Sequence, residues 1–117
     1  MMAEVAKKVL VEDVEKNALS RYMLRAYHVK PEYLGSLAGV IHVDGTVRAQ
    51  VISSNDTENK LLYDILDRVY KRYGMTGLIN TSFNRSGNPM VHYTVDALDL
   101  ARDIRLDGVI VNEKLKY

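Results

Sequence analysis

The chain has 117 residues, 47% of them hydrophobic and 26% charged, and a formal net charge of +1. That is enough chain for one modest core, with no charge excess to draw nucleic acid or an acidic membrane surface. Cysteine is absent, which removes disulfides, thiolate metal sites and a cysteine nucleophile. No apolar stretch approaches the ~20 residues that span a bilayer. The start, Met1-Met2-Ala3-Glu4, has no apolar run of a secretory signal, so a cytoplasmic protein is expected, and the doubled Met reads as a cloning addition.

Residues 5–11 are apolar apart from Lys7 and Lys8 and predict a first strand. Residues 12–19 are charged and read as a loop or a short helix. Residues 22–29 predict a second strand, apolar on both faces and hence covered on both. Pro31 ends it, and residues 31–37 form a turn or one helical turn. Residues 40–52 predict a hairpin around Asp44-Gly45. A two-residue loop would mix polar and apolar side chains on both faces. A three-residue loop, Val43-Asp44-Gly45, pairs His42 with Thr46 and Ile41 with Val47. It sorts Ile41, Val47, Ala49 and Val51 onto one face and Val40, His42, Thr46, Arg48 and Gln50 onto the other, so this register is adopted. The second face meets either solvent or a ligand.

Asn55 predicts an N-cap with Glu58 at N3. The helix carries Leu61, Leu62, Ile65, Leu66 and Val69 as its apolar stripe and stops at Gly74. Residues 77–81 predict a strand and residues 90–93 a short one. Thr94 caps a further helix with Val95, Leu98, Ala101 and Ile104 inward. Residues 108–112 predict a closing strand, followed by a polar tail. Strands and helices alternate in the second half. The reading is a single domain over residues 1–117, of α/β (α+β) class, with helices packed on a mixed twisted sheet.

Residues 78–89 concentrate the chemistry. Leu78 and Ile79 read as the end of a buried strand and lead into Asn80, Thr81, Ser82, Asn84, Arg85, Ser86 and Asn88, with Phe83 anchoring the loop to the core. Hydroxyls, amides and a guanidinium at a strand's carboxyl end suit a phosphate or carbonyl ligand; the other reading is a hydrogen-bonded surface turn. The spacing is not that of a P-loop. His28, His42 and His92 are scattered and give no basis for a metal site. Arg48 leaves its strand beside His42 and Gln50, placed either to hold an anion or to make a cross-strand surface pair.

Several blocks are similar to a known family. Ser20-Arg21-Tyr22-Met23 and residues 26–32 resemble its S-P-Y-M and A-Y-P-V-R-P-E stretches. VIHVDGTVRAQ (residues 40–50) resembles T-H-V-D-G-T-x-R-x-Q, and LINTSFNRSGNPMV (residues 78–91) resembles L-L-N-T-S-F-N-x-x-G-E-P-I-V. Residues 94–110 resemble its T-P-E-D-A-L…L-D-A-L-V-I ending. The chain thus resembles the C-terminal, YrdC-like domain of NodU/CmcH-type carbamoyltransferases from about Val9 onward. The resemblance implies conversion of carbamoyl phosphate and ATP, with Mg²⁺, to carbamoyladenylate. A separate metal-carrying N-terminal domain then passes the carbamoyl group to a hydroxyl acceptor. It implies that Arg48 contacts carbamoyl phosphate or the adenylate phosphate, and that Ser82, with Thr81 and Asn84, binds the same ligand. His42 and Arg85 are further ligand-binding candidates.

The family's G-P-R-A-L-G-x-R-S and K-x-R-E-x-F-R-P-F-A-P stretches, which carry basic ligand groups, do not occur in these 117 residues. In the loop, N-x-R-G-E-P becomes Asn84-Arg85-Ser86-Gly87-Asn88-Pro89, with the Arg shifted by one place and the Glu replaced. The expectation is half a site: a partial YrdC-like domain, weak binding of carbamoyl phosphate and ATP, and no useful catalysis alone. The alternative is a non-catalytic interaction module with the same fold. An incomplete domain leaves a sheet edge or apolar patch open, so a homo-oligomer burying well over ~1,000 Å² is expected.

Overall fold

The computed structural model describes residues 1–14, 18–112 and 114–116. They divide into two units, Met1–Ile79 and Asn80–Tyr117.

The first unit begins with α1, Ala3–Val9, where residues 5–11 predict a strand. The reason is in the spacing: Met2, Val5, Ala6 and Val9 recur at helical intervals and are all buried, while Lys7 and Lys8 face outward. A strand would have alternated lysine with valine on the core side. Glu4 lies in the first turn and the lysines in the last, as the helix dipole favours. Lys30 Nζ donates to the carbonyls of Lys7 and Lys8 at 3.0 and 2.8 Å, satisfying the end of the helix.

The second predicted strand shrinks to β1, Tyr27–His28. Ala18–Tyr22 is a 3₁₀ turn, and Met23 sits at φ 57°, which reverses the chain before it can extend. Burial alternates: Tyr27 and Val29 are inside and His28 is exposed, so the strand is covered on one face only. Of residues 12–19, Glu15, Lys16 and Asn17 lie outside the described residues. Pro31–Tyr33 and Gly35–Leu37 are 3₁₀ turns, in keeping with the expected turn.

The hairpin loop closes as the polarity pattern requires. His42 N–H donates to Thr46 O at 2.8 Å, Gly45 N–H donates to His42 O at 2.9 Å, and Gly45 takes φ 78°. The returning arm then leaves its expected partner. β2, Thr46–Val47, pairs antiparallel with β1, Tyr27 opposite Val47 and His28 opposite Thr46. Val47 therefore meets Tyr27 rather than Ile41. Val47, Ala49 and Val51 are buried and Arg48 is exposed. Thr46 is buried too, because its hydroxyl folds onto Asp44.

α2 spans Lys60–Tyr73, starting four residues later than the Asn55 cap predicts. Asp56 accepts hydrogen bonds from Asn59 N–H (3.2 Å) and Asn59 Nδ2 (3.1 Å), which holds residues 56–59 as a turn ahead of the helix. Gly74, at φ 69°, ends the helix as expected. Leu66 is buried and Leu62, Tyr63 and Tyr70 pack against the core, whereas Leu61 is exposed. The inward face is thus turned toward the two tyrosines. The core of this unit gathers α1, β1, β2 and Leu66 around Tyr27. A parallel bridge, Met2 to Ile52, ties the start of α1 to the end of the hairpin segment. Residues 77–81 are not a strand, and Leu78 and Ile79 are exposed rather than buried.

In the second unit residues 90–93 form no strand, and α3 spans Thr94–Asp103. Tyr93 occupies the N-cap position without a side-chain cap, and Thr94 is the first helical residue. Ala97, Leu100 and Ala101 are buried, while Val95 and Ile104 are exposed. A stripe stepping by three drifts off a face that repeats every 3.6 residues. β3, Val109–Val111, pairs antiparallel with β4, Lys114–Lys116, so the expected polar tail contains a strand. Gly108 is required here: a Cβ would come within 2.9 Å of Leu115 Cδ1 and Lys116 O. Among the described residues the strands form two two-stranded antiparallel sheets, where one mixed sheet is expected. The class, a mix of helices and small sheets, is as read.

α3 ends in a left-handed residue that is not glycine. Arg105 has φ 57°, and Leu106 N–H donates back to Ala101 O at 2.8 Å, the six-to-one bond of a Schellman ending. Arg105→Gly is expected to raise stability by about 0.5–1 kcal/mol, since relief of a ~1–2 kcal/mol left-handed strain outweighs glycine's greater unfolded entropy. Urea unfolding of the two proteins side by side measures it.

Candidate functional site

The predicted site residues fall into two sets. His42 and Arg48 belong to the first unit, and Thr81, Ser82, Asn84 and Arg85 to the second. Arg48 projects outward because its neighbours Val47 and Ala49 turn into the core. Among the described residues its guanidinium has no carboxylate or carbonyl partner. His42, also exposed, stands at the other side of the loop. Between them Asp44 Oδ1 accepts from Thr46 N–H at 3.0 Å and Thr46 Oγ1 at 2.7 Å. Those bonds, with the charge of His42, hold the Asp44 carboxyl below the usual range.

In the second unit Thr81 and Ser82 are exposed, with no hydrogen-bond partner for their hydroxyls among the described residues. Asn84 is differently employed. Its Nδ2 donates to Arg85 O at 3.0 Å and Asn88 O at 2.9 Å, while Asn88 N–H donates to Arg85 O. Both amide hydrogens are spent closing the turn at Gly87, which leaves Asn84 an acceptor only. Arg85 forms an ion pair with Asp103 of α3. Phe83 is half-buried, and its carbonyl accepts from Val91 N–H.

Two open clefts of about 410 and 400 Å³ lie in the first unit, and neither includes any of these residues. The first is lined by Val5, Lys8, Tyr33, Tyr70, Lys71 and Thr76, with Lys8 Nζ 3.4 Å from Tyr70 Oη. The second is lined by Ser20, Arg21, Ser53, Asn55 and Asp56, with Arg21 and Asp56 paired at 3.0 Å. Two polar contacts, across 16 and 35 residues, carry no local spacing signal in the sequence. In the first, Glu12 accepts from His28 N–H at 2.8 Å and lies 2.6 Å from His28 Nδ1; the second is Arg21 with Asp56.

These carboxylates are expected to contribute to the acid sensitivity of the fold. Burial pushes Glu12 up, but its bonds from the His28 ring and backbone outweigh it, and the net position is below the ordinary 4.5. Asp56 lies below the ordinary 3.8 through its bonds from Asn59, then Arg21. A carboxyl depressed in the folded state binds fewer protons there than when unfolded. Its stabilisation is therefore complete above the ordinary value and is lost as pH falls through the folded one. Stability is expected to hold from pH 7 to about 5 and to fall progressively below 4.5. Asp56→Asn should flatten that acid limb, as urea unfolding at stepped pH will measure.

Residues 1–116 match the family described as carbamoyltransferase C-terminus. The chain belongs to that family. This carbamoyltransferase C-terminal chain is 38% identical over 79 residues to nodulation protein NolNO of Sinorhizobium fredii, covering 68% of the chain and 11% of that protein. It is 33% identical over 90 residues to nodulation protein NolO of Bradyrhizobium diazoefficiens, covering 77% and 16%. Over 96 residues it is 32% identical to the uncharacterised protein MJ1051 of Methanocaldococcus jannaschii, covering 82% and 18%. The chain thus spans less than a fifth of the length of these relatives.

Proposed function

We propose that this chain is a ligand-binding portion of an O-carbamoyltransferase, with a partial YrdC-like fold, that holds carbamoyl phosphate and ATP for carbamoyladenylate formation. The observation that supports this best is Arg48. It is exposed, fixed in direction by the buried side chains on either side of it, and unpaired among the described residues. A guanidinium in that state can take a phosphate through two parallel N–H···O bonds. His42 can donate a further bond at the same loop. In the second unit, taken by itself, Thr81 and Ser82 offer hydroxyl donors. Mg²⁺, implied with ATP by the family, is assigned to the phosphates of the nucleotide. The remaining chemistry is assigned to the rest of a longer carbamoyltransferase, and a cytoplasmic location is proposed with it. A second reading, a non-catalytic module of the same fold, draws on the employment of Asn84 and Arg85, two of the six candidate side chains, within their own unit.

Titration calorimetry with carbamoyl phosphate at low salt tests the proposal. Binding is expected to be weak, in about the millimolar range, and Arg48→Ala should reduce it about tenfold or more, the worth of a charge-assisted hydrogen bond. Binding that is absent, or indifferent to Arg48→Ala, would count against it. Arg48 is exposed, so its loss should leave the melting curve unchanged.

A further inference from the structure

We infer that His28, held by Glu12, is a further anion-binding side chain on the face that carries Arg48, and that the site takes an oxyanion more tightly once the histidine is protonated. The inference rests on Arg48 being an anion contact, as proposed above. β1 and β2 bring the residues together. Tyr27 stands opposite Val47 and His28 directly opposite Thr46. Side chains alternate along a strand; Tyr27, Val47 and Ala49 take the buried side, so His28 and Arg48 share the other. Arg48 lies two residues beyond Thr46, which makes it the diagonal neighbour of His28, about 7–8 Å away from backbone to backbone. Thr46, on the same face, is short and spends its hydroxyl on Asp44. Two long side chains at that separation can each take an oxygen of one tetrahedral anion.

Glu12 sets the state of the ring. Its Oε1 lies 2.6 Å from His28 Nδ1, and its Oε2 accepts from His28 N–H at 2.8 Å. A carboxylate can only accept, so Nδ1 carries the hydrogen and Nε2 is the free nitrogen. Nε2 has no partner among the described residues, and 61% of the His28 side chain is exposed. In the neutral ring Nε2 is an acceptor and offers an oxyanion nothing. In the protonated ring it is a charge-assisted donor on the face of a guanidinium. The surrounding charges act in the same sense. Glu12, with Asp13 next in the chain, flanks the ring from one side, and the hairpin segment brings His42, Asp44 and Arg48 from the other. Lys30 spends its ammonium on the carbonyls of Lys7 and Lys8. With the histidines neutral, the carboxylates of Glu12 and Asp44 outweigh the one guanidinium and oppose an anion. A proton on His28 offsets that excess, and histidine is the side chain that changes charge between about pH 5 and 8.

Sulfate keeps its charge from about pH 6 to about pH 8, so titration with it reads the protein's protons and not the ligand's. Calorimetry at low salt should show binding that tightens about tenfold from the upper to the lower pH. In the wild-type chain sulfate should perturb the His28 ring protons in NMR spectra at the lower pH only. His28→Gln should keep the weak binding of the upper pH and lose the gain, with circular dichroism unchanged because the position is exposed. Glu12→Gln should move the gain to lower pH, since the carboxylate that favours the charged ring is gone. Sulfate bound through Arg48 equally at both pH values would overturn the inference and leave Arg48 as an anion contact. So would a gain that survives His28→Gln and disappears in His42→Gln. No sulfate binding at either pH would overturn both.

Discussion

Tyr27→Ala is expected to unfold the first unit at room temperature, while Tyr27→Phe leaves it as stable as before or more so. Tyr27 is 0% exposed and is the largest fully buried side chain in the core. It sits on β1 opposite Val47, with the Arg25 guanidinium 5.5 Å from its ring centroid. Truncating a buried aromatic to alanine costs ~3–5 kcal/mol, from lost burial and from the cavity left behind. A domain of this size has only ~5–15 kcal/mol in hand, and small ones lie at the low end. The hydroxyl is another matter. Tyr27 Oη is buried and finds no partner among the described residues. A buried unsatisfied hydroxyl costs ~1–3 kcal/mol, so its removal in Tyr27→Phe should raise stability by up to that amount. Urea unfolding of the three proteins tests both halves. A Phe variant destabilised as much as the Ala variant would mean that the hydroxyl has a partner and that the core is packed differently.

The second large effect concerns catalysis. Incubated with ATP, Mg²⁺, carbamoyl phosphate and labelled pyrophosphate, the chain alone is expected to put no label into ATP above background. Adenylyl transfer depends on preorganised groups that meet developing negative charge, and losing one such donor costs ~10²–10³ in rate. The candidate groups here are one unpaired guanidinium, Arg48, with hydroxyls from Thr81 and Ser82. Arg85 is committed to Asp103, and the amide hydrogens of Asn84 are committed to the loop. Two or three absent donors together would remove more than ~10⁴. Exchange at an enzymatic rate that vanishes in Arg48→Ala would show that these groups suffice.

What could be read from sequence was what rests on local rules. Gly45 and Gly74 sit at positive φ where the hairpin loop and the helix end require it. The polar face of the hairpin segment follows from strict alternation at Val47, Ala49 and Val51, and that alternation is what turns Arg48 outward. The errors came where partners decide. Val5 and Val9 have strand propensity, yet the 3.6-residue spacing with Ala6 wins because it buries the stripe against the core. Leu78 and Ile79 are strand-like residues, but a segment becomes a strand only when another lies beside it, and among the described residues none does. In the site, Arg48 and Ser82 could be named from their blocks. The diversion of Asn84 and Arg85 could not, since it depends on where Asn88 and Asp103 come to rest.

The most direct measurement is a residue-resolved one: a carbamoyl phosphate titration followed by ¹H–¹⁵N correlation spectra and side-chain guanidinium signals, with inorganic phosphate as the comparison. The proposal predicts saturable shifts at Arg48 and its loop. Shifts confined to other residues, such as the Lys8–Tyr70 cleft, or no saturable shift at all, would contradict it.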